Sequence, residues 1–179
     1  TFFNFSCFES ESSGRVYLMT NSASNNVSET HVINTGESVS SISGSLYSGS
    51  GEEIGSGVIA SDIPPGGRAI FSATGLEQAL GAETWRGPAM LELQSEQTFN
   101  LMTRLTSPSG LVSNTNCVRE DNVHNLEGSD SSDMTYVRLI NQGKSTINNI
   151  RGTLYDPSGQ VVGNADQQLL SSLTPKQQV

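Results

Sequence analysis

The chain has 179 residues and a mass of 19.0 kDa, with 18 acidic and 9 basic residues, a net charge of -9 and a pI near 4.5. Scattered basic residues in an acidic chain argue against nucleic-acid binding, and no apolar run approaches the roughly 18 residues of a membrane span. Only 15% of residues are charged, while Ser, Thr, Asn and Gly are abundant, which disfavours a helical bundle. The composition therefore predicts an all-β protein.

Short β-prone runs follow one another along the chain, and Gly, Pro, Ser and Asn separate them every 8–12 residues or so, which is typical of a β-sandwich. These runs lie at 15–19, 30–33, 42–47, 68–71, 88–93 and 99–105. A Gly-rich stretch at 48–51 predicts a hairpin turn after the third run. The order of the runs predicts a sandwich joined by tight turns.

One short helix is predicted over 74–80, between the fourth and fifth runs. Thr74 and Glu77 fit a capping box, and Leu76 and Leu80 supply an apolar face. Trp85 follows, and we expect its ring to close one end of the core. The alternative interpretation makes it an exposed platform for a stacked ligand.

An internal repeat organises the sequence, and its offset drifts from 107 to 110 residues. The matching segments are 32–36 with 139–143, 44–51 with 152–159, 54–55 with 162–163, and 63–65 with 173–175. Cys7 and Cys117 also lie 110 residues apart. The repeat predicts a closing strand of a preceding unit at 1–6, a complete β-sandwich repeat at 7–116, and the front part of a second, incomplete repeat at 117–179.

These motifs resemble tandem β-sandwich repeats found in large secreted or surface proteins of bacteria. The resemblance is carried by the segments 139–143, 152–163, 76–81, 85–87 and 105–110. It implies immunoglobulin-like β-sandwich repeats, with one short helix per repeat, in an extracellular, secreted or cell-surface setting. It implies no reaction, because no catalytic residues are assigned to such repeats.

The two cysteines and an acidic segment suggest two ways of stabilising the chain. A disulfide between Cys7 and Cys117 is expected if the chain is exported, and two buried thiols are the alternative. The acidic segment after Cys117 contains Asp121, Asp130 and Asp133, whose hard oxygen ligands would suit calcium between units. A solvated acidic linker is the alternative, with no cofactor.

The N-terminal segment is unusually apolar, with Phe2, Phe3 and Phe5 among its first residues. Such a segment should dock as a strand and not remain in water. One hypothesis is strand exchange, in which it completes the open repeat of a neighbouring identical subunit. The alternative is an edge strand in its own unit.

No catalytic constellation is found, since a Gly-x-Ser-x-Gly elbow and a phosphate-binding loop are both missing from the sequence. We therefore expect a non-enzymatic protein that spaces, assembles or adheres, with neighbouring repeats or identical subunits as partners and without membrane insertion. The alternative is a carbohydrate-binding module for a polysaccharide, with Trp85 and Tyr17 or Tyr47 stacking on the sugars.

Overall fold

The computed structural model describes residues 11–114 and 137–179, and it is built mostly of antiparallel β-strands with one short helix. The all-β prediction is confirmed. The elements are β1 (Glu11–Met19), β2 (Val27–Asn34), β3 (Ser40–Tyr47), β4 (Glu53–Ile63), β5 (Arg68–Ser72), α1 (Ala73–Leu80), β6 (Ala89–Thr106), β7 (Val112–Asn114), β8 (Ile147–Tyr155) and β9 (Val161–Leu173).

Strand β6 is the central element of residues 11–114, because four other strands pair with it. Its first half lies between β1 and β3, and its second half lies between β2 and β7. Strands β4 and β5 extend the sheet outward from β3 and β2. A single strand therefore belongs to two groups of strands, which curl around a common interior.

The interior is filled by alternate residues of these strands, as expected from the two-residue period of a β-strand. In β3, Ile42 and Leu46 are fully buried, and in β6 Leu91 and Leu93 are fully buried beside them. The remaining members of the cluster come from both groups of strands and include Val16, Met19, Val32, Phe71, Phe99 and Leu101. One core therefore holds the whole of residues 11–114 together.

Helix α1 packs against β4 through a close backbone approach. A Cβ atom added to Gly55 of β4 would lie 2.7 Å from the carbonyl oxygen of Leu80, so this position needs a glycine. The helix begins after Ser72, whose hydroxyl accepts a hydrogen bond from the Gly75 N–H at 3.2 Å. The predicted capping box at Thr74 is therefore wrong, because the N-cap is Ser72, two residues before Thr74.

Three tight turns share one hydrogen-bonding pattern. In each, the N–H of a glycine donates to the carbonyl of the residue three positions earlier, and the glycine has a positive φ between 82° and 88°. These pairs are Gly51 with Ser48, Gly110 with Ser107, and Gly159 with Asp156. The glycines are needed because other residues rarely adopt this φ.

The side chain of Asn34 ties the loop between β2 and β3 to the end of β4. Its Nδ2 donates to the carbonyl oxygens of Ser38 at 2.8 Å and Ile63 at 2.9 Å, and its Oδ1 accepts from the Gly36 N–H at 2.9 Å. The side chain is 1% exposed. It therefore satisfies two backbone groups of the loop after β2 and one at the end of β4.

Asn141 makes the same set of bonds in residues 137–179. Its Nδ2 donates to the carbonyl oxygens of Ser145 at 2.8 Å and Leu173 at 2.9 Å, and its Oδ1 accepts from the Gly143 N–H at 2.9 Å. It is also 1% exposed. The loop after Asn141 is thereby tied to the end of the β8–β9 hairpin.

Several predicted residues lie outside the described residues. They are Cys7 and Cys117, the calcium candidates Asp121, Asp130 and Asp133, and the strand-exchange candidates Phe2, Phe3 and Phe5. Within 11–114 and 137–179, no helix has both the length and the apolar character needed to cross a bilayer.

Candidate functional site

The C-terminal segment, residues 176–178, docks on residues 11–114 through buried polar contacts. We call this contact surface the junction. The Gln178 N–H donates to the Gly49 carbonyl at 3.0 Å, and its Nε2 donates to the Pro88 carbonyl at 3.3 Å. Gln178 is 4% exposed. A buried glutamine with two partners fixes the register of the contact, since other registers would leave its amide unsatisfied.

Glu92 of β6 lies at the centre of the junction and accepts from two cations. Its Oε1 accepts from Arg15 Nε at 2.7 Å and from Lys176 Nζ. Arg15 also donates from a guanidinium nitrogen to Gln142 Oε1 at 2.9 Å. The Glu92 and Lys176 side chains are largely shielded from solvent, so this pair is worth more than an exposed ion pair.

Lys176 reaches Glu92 from a backbone conformation that lysine rarely adopts. Its φ is +64°, and its N–H donates to the Asn141 carbonyl at 2.9 Å. In residues 11–114, Gly66 makes the matching bond to Asn34 with a φ of +73°. Lysine costs about 1 kcal/mol more than glycine in this conformation, and the ion pair with Glu92 offsets that cost.

The Glu92 carboxylate is held in its charged form. Burial raises the pKa of Glu92, but hydrogen bonds and charges from Lys176 and Arg15 outweigh burial, so the pKa lies below its ordinary value of 4.5. Because the folded pKa is lowered, the stabilisation is fully present above the ordinary pKa. It is lost as the pH falls through the lowered pKa.

Replacing Glu92 by Gln should therefore destabilise the chain in a pH-dependent way. At pH 7 we expect the free energy of unfolding to fall by about 1–2 kcal/mol, because Gln carries no charge to strengthen the two hydrogen bonds from Arg15 and Lys176. Solvent screening keeps the loss to this size. The difference from wild type should vanish at pH values below the lowered pKa. Urea denaturation followed by circular dichroism at several pH values measures both.

Glu83→Gln is the matched control for this experiment, because Glu83 is exposed on the loop before Trp85. It should change the free energy of unfolding at pH 7 by less than about 0.5 kcal/mol. A Glu92→Gln difference that stayed constant into acid would show that Glu92 acts through packing and not through its charge.

The aromatic residues proposed for sugar stacking do not form an exposed platform. Trp85 is 6% exposed, and its Nε1 donates to the Met19 carbonyl at 3.2 Å. Tyr17 is also 6% exposed. Tyr47 is partly exposed, but Lys176 Nζ lies 5.7 Å from its ring centroid. Trp85 therefore closes the core as expected, and burial keeps Trp85 and Tyr17 from stacking on a ligand.

The two carboxylates of the β8–β9 hairpin bond to groups of that same hairpin. Asp156 accepts from the Ser158 and Gln160 N–H groups, each at 2.9 Å. Asp166 forms an ion pair with Arg151 at 2.9 Å. In the part of the chain that the structure describes, no three His, Cys, Asp or Glu side chains group together as a metal site would require.

Sequence reasoning missed the junction, including Glu92, Lys176 and Gln178. Glu92 looks like an ordinary polar residue of an alternating strand, and its partner Lys176 is 84 residues away. One signal was available, because Lys176 stands where the repeat has Gly66. A lysine that replaces a turn glycine indicates that the side chain is needed there.

No family model, no curated protein and no solved structure matches the chain.

Proposed function

We propose that the chain is a non-enzymatic extracellular structural or interaction protein, built from immunoglobulin-like β-sandwich repeats, which acts as a spacer, assembly or adhesion module. Support comes from Asn34 and Asn141, which make the same three side-chain bonds in sequence segments that match. Two similar pieces of structure joined in one chain are typical of a repeat array.

The observation that carries the proposal is the junction itself. A spacer must transmit orientation from one repeat to the next, which a flexible linker would not do. Here buried Gln178 and the Glu92 ion pairs tie residues 137–179 to a fixed place on residues 11–114. The junction therefore sets the direction in which the second repeat leaves the first.

Gly51→Ala is the sharpest test of this role. Gly51 has a φ of +88°, and an added Cβ would collide with the Pro175 carbonyl and lie 3.0 Å from the Gln177 nitrogen. We expect the substitution to push the C-terminal segment off the turn. Hydrogen exchange followed by NMR should then show at least about tenfold faster exchange at the Gln178 N–H, which is bonded to Gly49.

Gly110→Ala is the matched control, since Gly110 has the same turn bond and a φ of +82° but nothing within 4 Å of its added Cβ. It introduces the same backbone strain without the collision, so the Gln178 N–H should keep its protection. The Lys176 N–H, bonded within residues 137–179 to Asn141, should stay protected in both variants. A Gln178 N–H that exchanges rapidly in the wild-type chain would contradict a fixed junction and the spacer role.

A further inference from the structure

The imidazole of His31 lies on the outward face of the sheet, yet both of its nitrogens are shielded from solvent. In β2 the buried residues alternate with a row that faces outward, and His31 stands in this outward row with Glu29 and Ile33. No group of the described residues bonds to His31 Nδ1 or Nε2. Buried polar atoms are nearly always paired, so two unpaired nitrogens on one ring need a physical reason.

Two apolar side chains flank His31 in the sheet. It pairs with Ile70 of β5 on one side and with Met102 of β6 on the other. Side chains of directly opposed residues in antiparallel strands share a face and lie side by side. Ile70 is 47% exposed and Met102 is 38% exposed, so about half of each side chain remains to cover its neighbours. The ring is therefore held between groups that offer it no strong hydrogen bond.

The surroundings of His31 favour its neutral form. Burial lowers the pKa of His31, and so do the charges of Arg68 on β5 and Arg104 on β6. Glu29 on β2 raises it, but this carboxylate already forms an ion pair with Arg104. The lowering causes prevail, so the pKa lies below its ordinary value of 6.5.

A proton on the ring changes what the sheet must accommodate. The neutral imidazole carries one N–H and one lone pair, whereas the imidazolium carries two N–H donors and a charge. An unpaired buried charge costs far more than an unpaired neutral group, so the strands around His31 must separate to admit water. Strand β5 is best placed to move, because it is five residues long and, among the strands of 11–114 and 137–179, pairs with β2 alone. By contrast, β6 pairs with four strands.

We propose that His31 is an acid-sensitive switch, in which protonation of the ring frees it from between Ile70 and Met102 and loosens the pairing of β5 with β2. At neutral pH the ring is uncharged and the pairing is closed. Helix α1 follows β5 directly in the chain, so the opening reaches the start of the helix. The pairing of β3 with β4 lies at the other end of the strand order and stays closed.

The direction of the pKa shift sets the pH range of the switch. In the open state His31 has its ordinary pKa, so below that value the open state binds more protons than the closed state. The closed pairing is therefore fully stable above the ordinary pKa and weakens as the pH falls from there towards the lowered pKa. Between about pH 7.5 and about pH 5.5, the ratio of closed to open β5 should fall by about three- to tenfold, and tenfold is the limit for a ring that stays neutral when closed. The effect of Glu92 begins at lower pH, since its pKa lies below 4.5.

NMR hydrogen exchange on the full chain at these two pH values tests the switch, with each amide corrected for its intrinsic rate at that pH. Protection of the β5 amides, Arg68–Ser72, should fall by about three- to tenfold on acidification. The β4 amides that pair with β3 are the internal control and should keep their protection. NMR titration of the His31 ring in the folded chain and in urea measures the difference in pKa between the two states.

Three variants assign the effect to the ring. His31→Leu cannot titrate and suits its neighbours Ile70 and Met102, so β5 protection should no longer depend on pH. His31→Gln also cannot titrate and should behave likewise, which keeps the test informative if one of the two variants is poorly folded by circular dichroism. Arg68→Gln removes an opposing charge, so it should raise the pKa of His31 and reduce the loss of protection in acid.

Four results would overturn the proposal. One is β5 protection that does not change with pH in the wild-type chain, and another is an equal loss at β4, which would mean that the whole sheet opens. A third is a loss that persists in both His31 variants, because another group would then be responsible. The last is a His31 pKa in the folded chain that is no lower than in urea.

Discussion

Replacing Trp85 by Ala is expected to lower the free energy of unfolding by about 3–5 kcal/mol. The indole is 6% exposed and belongs to the cluster that forms the core of residues 11–114. Its removal leaves a cavity that neighbouring side chains fill only in part. Its Nε1 also donates to the Met19 carbonyl, at the end of β1, and that bond is lost with the ring.

Urea denaturation followed by circular dichroism is the suitable measurement, because Trp85 is the single tryptophan and the variant loses its fluorescence signal. Trp85→Phe separates the two contributions, since it keeps most of the ring volume and removes the bond to Met19. We expect it to cost less than the alanine variant. Tyr155→Ala is the control for an exposed aromatic at 60% exposure and should change stability by less than about 0.5 kcal/mol. A similar small effect for Trp85→Ala would contradict its place in the core.

Replacing Asn34 by Ala is expected to cost about 2–4 kcal/mol. The carboxamide satisfies the carbonyl oxygens of Ser38 and Ile63 and the N–H of Gly36, and alanine leaves all three without that partner. A buried backbone group that loses its partner costs more than an average hydrogen bond contributes. The end of β2 should loosen first, since two of these groups lie in the adjoining loop.

Two further variants make this result interpretable. Asn25→Ala changes an exposed asparagine of the same part of the chain and should be close to neutral. Asn34→Asp keeps the size and the acceptor oxygen but loses both donors, so it should destabilise the chain as alanine does. Urea denaturation at pH 7 checks all three, and an Asn34→Asp variant as stable as wild type would show that shape matters there and not the donated bonds.

The sequence predicted the elements well where local periodicity decides the structure. The runs 15–19, 30–33 and 42–47 lie within β1, β2 and β3, and the predicted helix over 74–80 lies within α1. The runs 88–93 and 99–105 were expected to be separate strands, yet residues 89–93 and 99–105 belong to the single strand β6. The polar stretch between them resembles a turn, but its pairing with several neighbours keeps it extended.

The candidate site was harder to predict, because it depends on contacts between distant segments. Glu92, Arg15 and Lys176 meet across separations of 77 and 84 residues, and local patterns carry no information about such distances. The burial of Tyr17 depends likewise on how the strands curl, which composition does not report. The sequence repeat was the one long-range signal: it matched segments 32–36 and 139–143, in which Asn34 and Asn141 make the same bonds, but it predicted none of those bonds.

The placement of β6 has a consequence for how the chain acquires its structure. Strands β1, β2 and β3 all precede β6 in the sequence, and each takes it as a partner. During synthesis from the N-terminus these strands must wait until β6 has emerged, and their pairing then closes long loops. Folding of residues 11–114 should therefore be a late, cooperative and slow event, in which a nascent chain that stops before residue 106 has exposed strands but no complete core.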